Sequence, residues 1–172
     1  MPLTKPDRTA IVLTISDGCY SGHRTDLSGP ALQTLLTSNH FTVVRAQTLP
    51  DEIEAISTAL QQAANEASLI LTTGGTGLSA RDVTPEATRR VCDRLIDGLS
   101  ETMRREGALQ TPLAALSRGL CGTIPTQRNP ALVINLPGSP TGAITSLSAI
   151  LGILPHALDL LAGDTDHPQD ES

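Results

Sequence analysis

The residues best placed to do chemistry form one short run. Thr73-Gly74-Gly75-Thr76-Gly77 sets three glycines among two threonines, and Asp82 follows a few positions on. Glycines at the end of a strand let backbone N–H groups approach an anion with no side chain in the way. A carboxylate facing a bound phosphate needs a divalent cation or a proton, so Asp82 beside this loop points to magnesium. No Lys-Ser or Lys-Thr follows the glycines, so this is not a Walker loop, and the dinucleotide fingerprint is absent too. The same residues also fit an ordinary tight turn, with Asp82 as a turn-capping carboxylate.

The flanking elements must hold that loop. Leu69 to Thr73 is apolar and rich in branched residues, which suits a strand buried on both faces of a parallel sheet. Thr84 reads as an N-cap, Pro85 as the first helical residue and Glu86 as a favourable charge in the first turn, with a helix expected over Pro85 to Ile96. Upstream, Ala10 to Ser16 reads as a strand, Asp17 to Gly29 as a loop, and Pro30 as the opening of a helix with Leu32, Leu35 and Leu36 on its inner stripe. Phe41 to Leu49 is β-rich and leads through Pro50 and Asp51 into a helix to about Glu66. Asp51 with Glu54 resembles a capping pair, and Ser28 fits a helix N-cap.

Downstream, Ser100 to Gly107 and Thr111 to Ser117 read as short helices, and Gly119 to Ile124 as a turn into a short strand. Ala131 to Leu136 reads as a buried strand ended by Pro137-Gly138-Ser139-Pro140. A closing helix from about Thr141 is expected to kink at Pro155. This alternation predicts a three-layer α/β sandwich, a mostly parallel central sheet flanked by helices, with one antiparallel edge strand. Residues 10–162 are expected to form a single domain, between a flexible N-terminus (1–9) and a disordered acidic tail (163–172).

The string Thr73 to Gly77 followed by Arg81-Asp82-Val83-Thr84-Pro85-Glu86-Ala87-Thr88 resembles the signature of molybdopterin adenylyltransferases of molybdenum cofactor biosynthesis, relatives of the gephyrin G domain. Ser16-Asp17, then Asp26-x-Ser28-Gly29, Pro50-Asp51-Glu52 and Asn135 to Pro140 match in the family's order, from about Ala10 to Ala162. The resemblance implies a molybdopterin-binding-domain fold and a reaction that joins molybdopterin to ATP, giving adenylyl-molybdopterin and pyrophosphate. It gives Asp51 a functional place beside the capping reading. Asp82, with Asp51, would then position magnesium, and Gly74 to Gly77 would hold the pterin's phosphate. Ser16, Asp17, Asp26, Ser28 and Gly29 would shape the pocket together with Thr73, Thr84 and Glu86. Leu136, Pro137, Gly138 and Ser139 would border the adenine and ribose. The family carries a serine-arginine pair where Ser117-Arg118 stands, which makes Arg118 either a phosphate contact or a structural salt bridge. A homotrimer and a separate molybdenum insertase as partner are further implications. The alternative is a trimeric carrier that binds molybdopterin without adenylylating it. A nucleotide hydrolase is a second rival, disfavoured because no amidase segment accompanies the domain.

Bulk properties agree. With 172 residues and a net charge of -6, the chain offers no basic field for nucleic acid or an anionic membrane. Aromatics are nearly absent, Tyr20 and Phe41 apart, so base stacking cannot be a main binding device. Cys19, Cys92 and Cys121 are odd in number and widely spaced, which indicates neither a disulfide framework nor a zinc site. A polar N-terminus without a signal-peptide core and no run of membrane-spanning length make the cytoplasm the expected compartment.

Overall fold

The structure, a computed structural model, describes residues 8–164. The strands β1 (Thr9–Ile15), β3 (Leu69–Thr73) and β6 (Ala131–Leu136) carry apolar residues on both sides, and the fold covers both. Along β1, Ala10 and Val12 join one core cluster while Ile11, Leu13 and Ile15 join the other. The strand's period of two delivers this split. Helices α2 (Ser28–Ser38), α5 (Asp97–Ala108), α6 (Pro140–Ile150) and α7 (Leu154–Leu161) cover the first face. Helices α3 (Ile53–Ala64) and α4 (Thr84–Val91) cover the second. This is the expected three-layer sandwich.

With β2 (Thr42–Leu49), β4 (Arg94–Leu95) and β5 (Cys121–Ile124) added, the sheet order is β2-β1-β3-β6-β5-β4. The first four strands pair in parallel. β5 runs antiparallel to β6, and β4 antiparallel to β5. The reversed strand is therefore next to the edge rather than at it. Ile15, Leu49, Thr73 and Leu136 end the parallel strands on one side of the sheet, where the candidate residues gather.

Several boundaries differ from the sequence expectation. The helix read over Pro85 to Ile96 stops at Val91, because Asp93 N–H donates to Thr123 O (3.1 Å) and Ile96 N–H to Cys121 O (2.8 Å), which pulls Arg94 and Leu95 into the sheet. The segment expected as a loop contains a one-turn helix, α1 (Asp17–Tyr20), whose N-cap Ser16 accepts the N–H of Cys19. The helices expected over Ser100 to Gly107 and Thr111 to Ser117 are a twelve-residue α5 and a 3-10 turn, Pro112–Leu116. The closing helix is broken rather than kinked: α6 and α7 meet at 64°, with Pro155 in the first turn of α7. Thr9 belongs to β1, while residues 1–7 of the end expected to be flexible and the tail expected to be disordered, from position 165 on, lie outside the described residues. Among the described residues no single helix is long and apolar enough to cross a membrane.

Candidate functional site

The loop after β3 is left-handed at two positions, Gly74 (φ 103°) and Gly75 (φ 65°). A Cβ at Gly74 would lie 2.2 Å from Ile15 O, and one at Gly75 2.3 Å from Thr84 Oγ1 and 3.0 Å from Asp51 Oδ1. Both dihedral and space therefore require glycine. The loop is fastened from two sides. Gly74 N–H donates to Leu136 O (3.1 Å), while Thr84 Oγ1 donates to Gly74 O (2.9 Å) and Thr84 N–H to Gly75 O (3.1 Å). Thr84 is thus the first residue of α4, not its N-cap; its hydroxyl holds the loop, and the N-cap position falls to Val83. Among the described residues no hydrogen bond occupies the N–H of Gly75, Thr76 or Gly77. These are free donors at the carboxyl end of a buried strand, suited to an anion.

Carboxylates stand against this loop. Asp17 and Asp51 clasp each other through their backbones: Asp17 N–H donates to Asp51 Oδ2 (2.9 Å) and Asp51 N–H to Asp17 Oδ1 (3.0 Å). Asp51 is therefore not the cap of α3, whose N-cap is Glu52 without a side-chain bond. Arg81 closes the group, its Nε and Nη2 donating to Asp17 Oδ2 at 2.9 and 2.7 Å. The Asp51 N–H, and then Arg81, hold the Asp17 carboxyl below the ordinary range. Asp51 is pushed up by burial, against the pull of the Asp17 N–H, and the charges of Asp17 and Asp82 push it further. Asp82 turns Oδ2 toward Ser79 N–H (2.9 Å) and reaches under Gly77, where a Cβ would lie 2.9 Å from it.

Asp51 Oδ1 and Asp82 Oδ1 carry no hydrogen bond among the described residues. No group of three or more His, Cys, Asp or Glu there forms a metal cage. Two carboxylates with open oxygens, completed by water and substrate phosphate, are the donor set that magnesium takes, so these residues fit that ion.

Arg118 makes the contacts that the structural reading expects. Nε donates to Gly77 O (2.8 Å), Nη2 to Asp82 O (2.7 Å) and Nη1 to the Glu86 carboxylate, while its backbone N–H donates to Thr76 O (2.9 Å). The guanidinium beside Glu86 holds that carboxyl below its usual range. Ser117 Oγ accepts Gly119 N–H (3.3 Å) and so shapes the turn into β5.

The remaining candidates lie at the neighbouring strand ends. Asp26 accepts Thr14 Oγ1–H (2.6 Å) and Gly29 N–H (2.9 Å), with Ser28 Oγ at 3.5 Å, so Asp26 does the capping expected of Ser28. Thr73 Oγ1 donates to Pro137 O (2.7 Å), Ser139 Oγ caps α6 through Gly142 N–H (3.1 Å), and Gly138 passes close to Gly74. Beneath them Asn135 Nδ2 donates to Thr72 and Thr88 hydroxyls, both at 2.9 Å, and ties β3, β6 and α4 together. Thr14, Thr88 and Arg81 were missed from sequence. Arg81 and Thr88 left a signal, since they begin and end the string that contains Asp82, whereas Thr14 left none. Tyr20, the last residue of α1, is 61% exposed at this end of the sheet. Burial pushes the Cys92 thiol up to about 12 and the Cys121 thiol up to about 11, so neither is a nucleophile at neutral pH.

The opposite end of the strands differs. A hollow of about 820 Å³ opens there between Thr9, Glu66, Ser68, Arg128, Asn129 and Asp164. Glu66 is bonded to Arg45 (3.0 Å).

The chain as a whole is similar to known proteins. The model of a family described as "Probable molybdopterin binding domain" matches residues 11–156. The molybdopterin adenylyltransferase of Helicobacter pylori strain J99 is 37% identical over 162 residues, covering 89% of this chain and 87% of that protein. The Drosophila melanogaster molybdenum cofactor synthesis protein cinnamon is 42% identical over 156 residues, of which this chain spans 25% of the length. Among solved structures, the molybdopterin biosynthesis enzyme MoaB of Thermus thermophilus aligns with a TM-score of 0.82 at 46% identity, covering 90% of this chain and 96% of that one.

Proposed function

The chain belongs to the family of probable molybdopterin binding domains, and from that premise we propose that it is a molybdopterin adenylyltransferase acting in molybdenum cofactor biosynthesis. The observation that carries this reading is the loop itself, where the free N–H groups of Gly75, Thr76 and Gly77 lie beside the open carboxylate oxygens of Asp51 and Asp82. Amides that hold one phosphate, next to carboxylates that need a cation, suit a reaction between phosphates rather than simple carriage.

In this reading the terminal phosphate oxygen of molybdopterin attacks the α-phosphorus of ATP. The new P–O bond forms as the bond to the β-phosphate oxygen breaks, and pyrophosphate leaves. Magnesium held by Asp51 and Asp82 would neutralise the charge that collects on the phosphate oxygens. The chain's own part is alignment. Gly75 to Gly77 orient the pterin's phosphate through their amides, and the Asp17–Asp51 clasp keeps one carboxylate fixed while the Arg118 contacts keep the Gly77–Asp82 turn in place. Pro137 to Ser139 border the nucleotide's adenosine, while Leu136, expected to share that role, is fully buried and anchors the turn from the core. The protein would work in the cytoplasm as a homotrimer and hand its product to a molybdenum insertase.

The test is adenylyl transfer with purified protein, molybdopterin, ATP and magnesium. Wild type should release pyrophosphate and adenylylated pterin, and Asp82→Asn should lower the rate by about two to three orders of magnitude, the scale seen when a charge-stabilising group leaves a reaction centre. Pterin binding without any product would replace the enzyme with the carrier. Full activity and unchanged magnesium dependence in Asp82→Asn would remove that residue from the mechanism.

A further inference from the structure

Two arginines flank the glycine loop, and they face opposite ways. Arg118 directs its guanidinium inward onto Gly77 O, Asp82 O and Glu86. Arg81 lies outside, its side chain 61% exposed, and reaches Asp17 Oδ2 with Nε and Nη2. Those two nitrogens form one edge of the planar fork. The other edge, built on Nη1, carries no hydrogen bond among the described residues.

The surroundings give that free edge a purpose. Asp17, Asp51 and Asp82 bring three carboxylates to a loop whose amides suit an anion. A polyanion entering there meets repulsion that the amides alone do not offset, so a cation within reach decides whether it binds. A guanidinium can bond a carboxylate on one edge and phosphate oxygens on the other, which an ammonium cannot do with fixed geometry.

We propose that Arg81 is a phosphate-binding residue: Asp17 holds one edge of its guanidinium, and the free edge takes oxygens of the nucleotide's pyrophosphate portion. This rests on the reading of the site as one for nucleotide and pterin phosphates. Asp17 is then the holder of Arg81 as well as of Asp51, and both act from one fixed carboxylate.

The experiment is calorimetric titration of inorganic pyrophosphate, with magnesium, into the full chain. Wild type, R81Q, R81K and R45Q are compared, Arg45 serving as a charge control at the β2 edge, where it pairs with Glu66. Loss of a charge-assisted hydrogen bond predicts about tenfold weaker binding for R81Q, with R81K weakened less and R45Q unchanged. Equal binding by wild type and R81Q overturns the role of Arg81 and leaves the site reading standing. Absence of binding by wild type overturns both. Should R81Q melt as an unfolded chain, R81K decides: binding equal to wild type refutes the two-edged role, and weakened binding supports it.

Discussion

The two ends of the parallel strands are built from similar materials to different effect. At the amino ends lies the hollow of about 820 Å³, with ordinary polar residues and a surface ion pair between Arg45 and Glu66. At the carboxyl ends the chain is drawn tight: left-handed glycines pressed against backbone, carboxylates packed beside carboxylates, donors left without partners. Empty volume marks the first end and unmet chemistry marks the second. The difference teaches that close backbone approach and uncompensated charge mark the candidate site better than space does.

Glycine substitutions give the widest separation between the ends. Gly75→Ala puts a methyl against Thr84 Oγ1 and Asp51 at a positive φ, and should cost about 2–4 kcal/mol of stability together with adenylyl transfer. Gly163→Ala, also at positive φ but with open space around it, should cost about 1 kcal/mol. Urea unfolding of both variants checks this, and equal costs would break the comparison.

The ion pairs should differ less. Arg118→Gln strips bonds from two backbone carbonyls as well as from Glu86, and should cost about 1–2 kcal/mol at pH 7. Arg45→Gln should cost under about 0.5 kcal/mol, as exposed pairs do. Because the folded Glu86 carboxyl titrates below its unfolded value of 4.5, its share of the stability is present above that pH and is lost as pH falls through the folded value. Thermal melts at pH 7 and pH 3 therefore should show the Arg118→Gln deficit shrinking in acid.

The smallest effect has the opposite sign. Asp51 is raised above its unfolded value of 3.8, so its charge lowers stability progressively as pH rises through the folded value. Asp51→Asn should therefore abolish transfer yet raise stability at pH 7, by less than about 1 kcal/mol since water screens a half-buried group. The gain should vanish below about pH 3.8, where both states are protonated. A variant less stable at pH 7 would show instead that the Asp17 clasp outweighs the buried charge.

What the sequence revealed follows the physics of each segment. β1, β3 and β6 were legible because strands covered on both faces must be apolar throughout. β4 was not, since Arg94-Leu95 carries no pattern and becomes a strand only through bonds from its neighbours to β5. The glycine loop was legible as a string, and so was Asp82. The Asp17–Asp51 clasp was not, because a pairing of side chains with backbone across 34 positions leaves no periodic trace. Thr84 was misread as a cap for a like reason: a hydroxyl at a helix start has two possible partners, and only the fold brings Gly74 O to it.

The scarcity of aromatics has a practical result. The chain holds no tryptophan and one tyrosine, and that tyrosine ends the one-turn helix that Asp17 begins. Its phenol is the single intrinsic fluorophore of any strength, placed in water on the loop whose other end clasps Asp51. Ultraviolet emission thus reports on that loop alone, without labels or engineered probes, and its anisotropy can be followed while each ligand is added in turn.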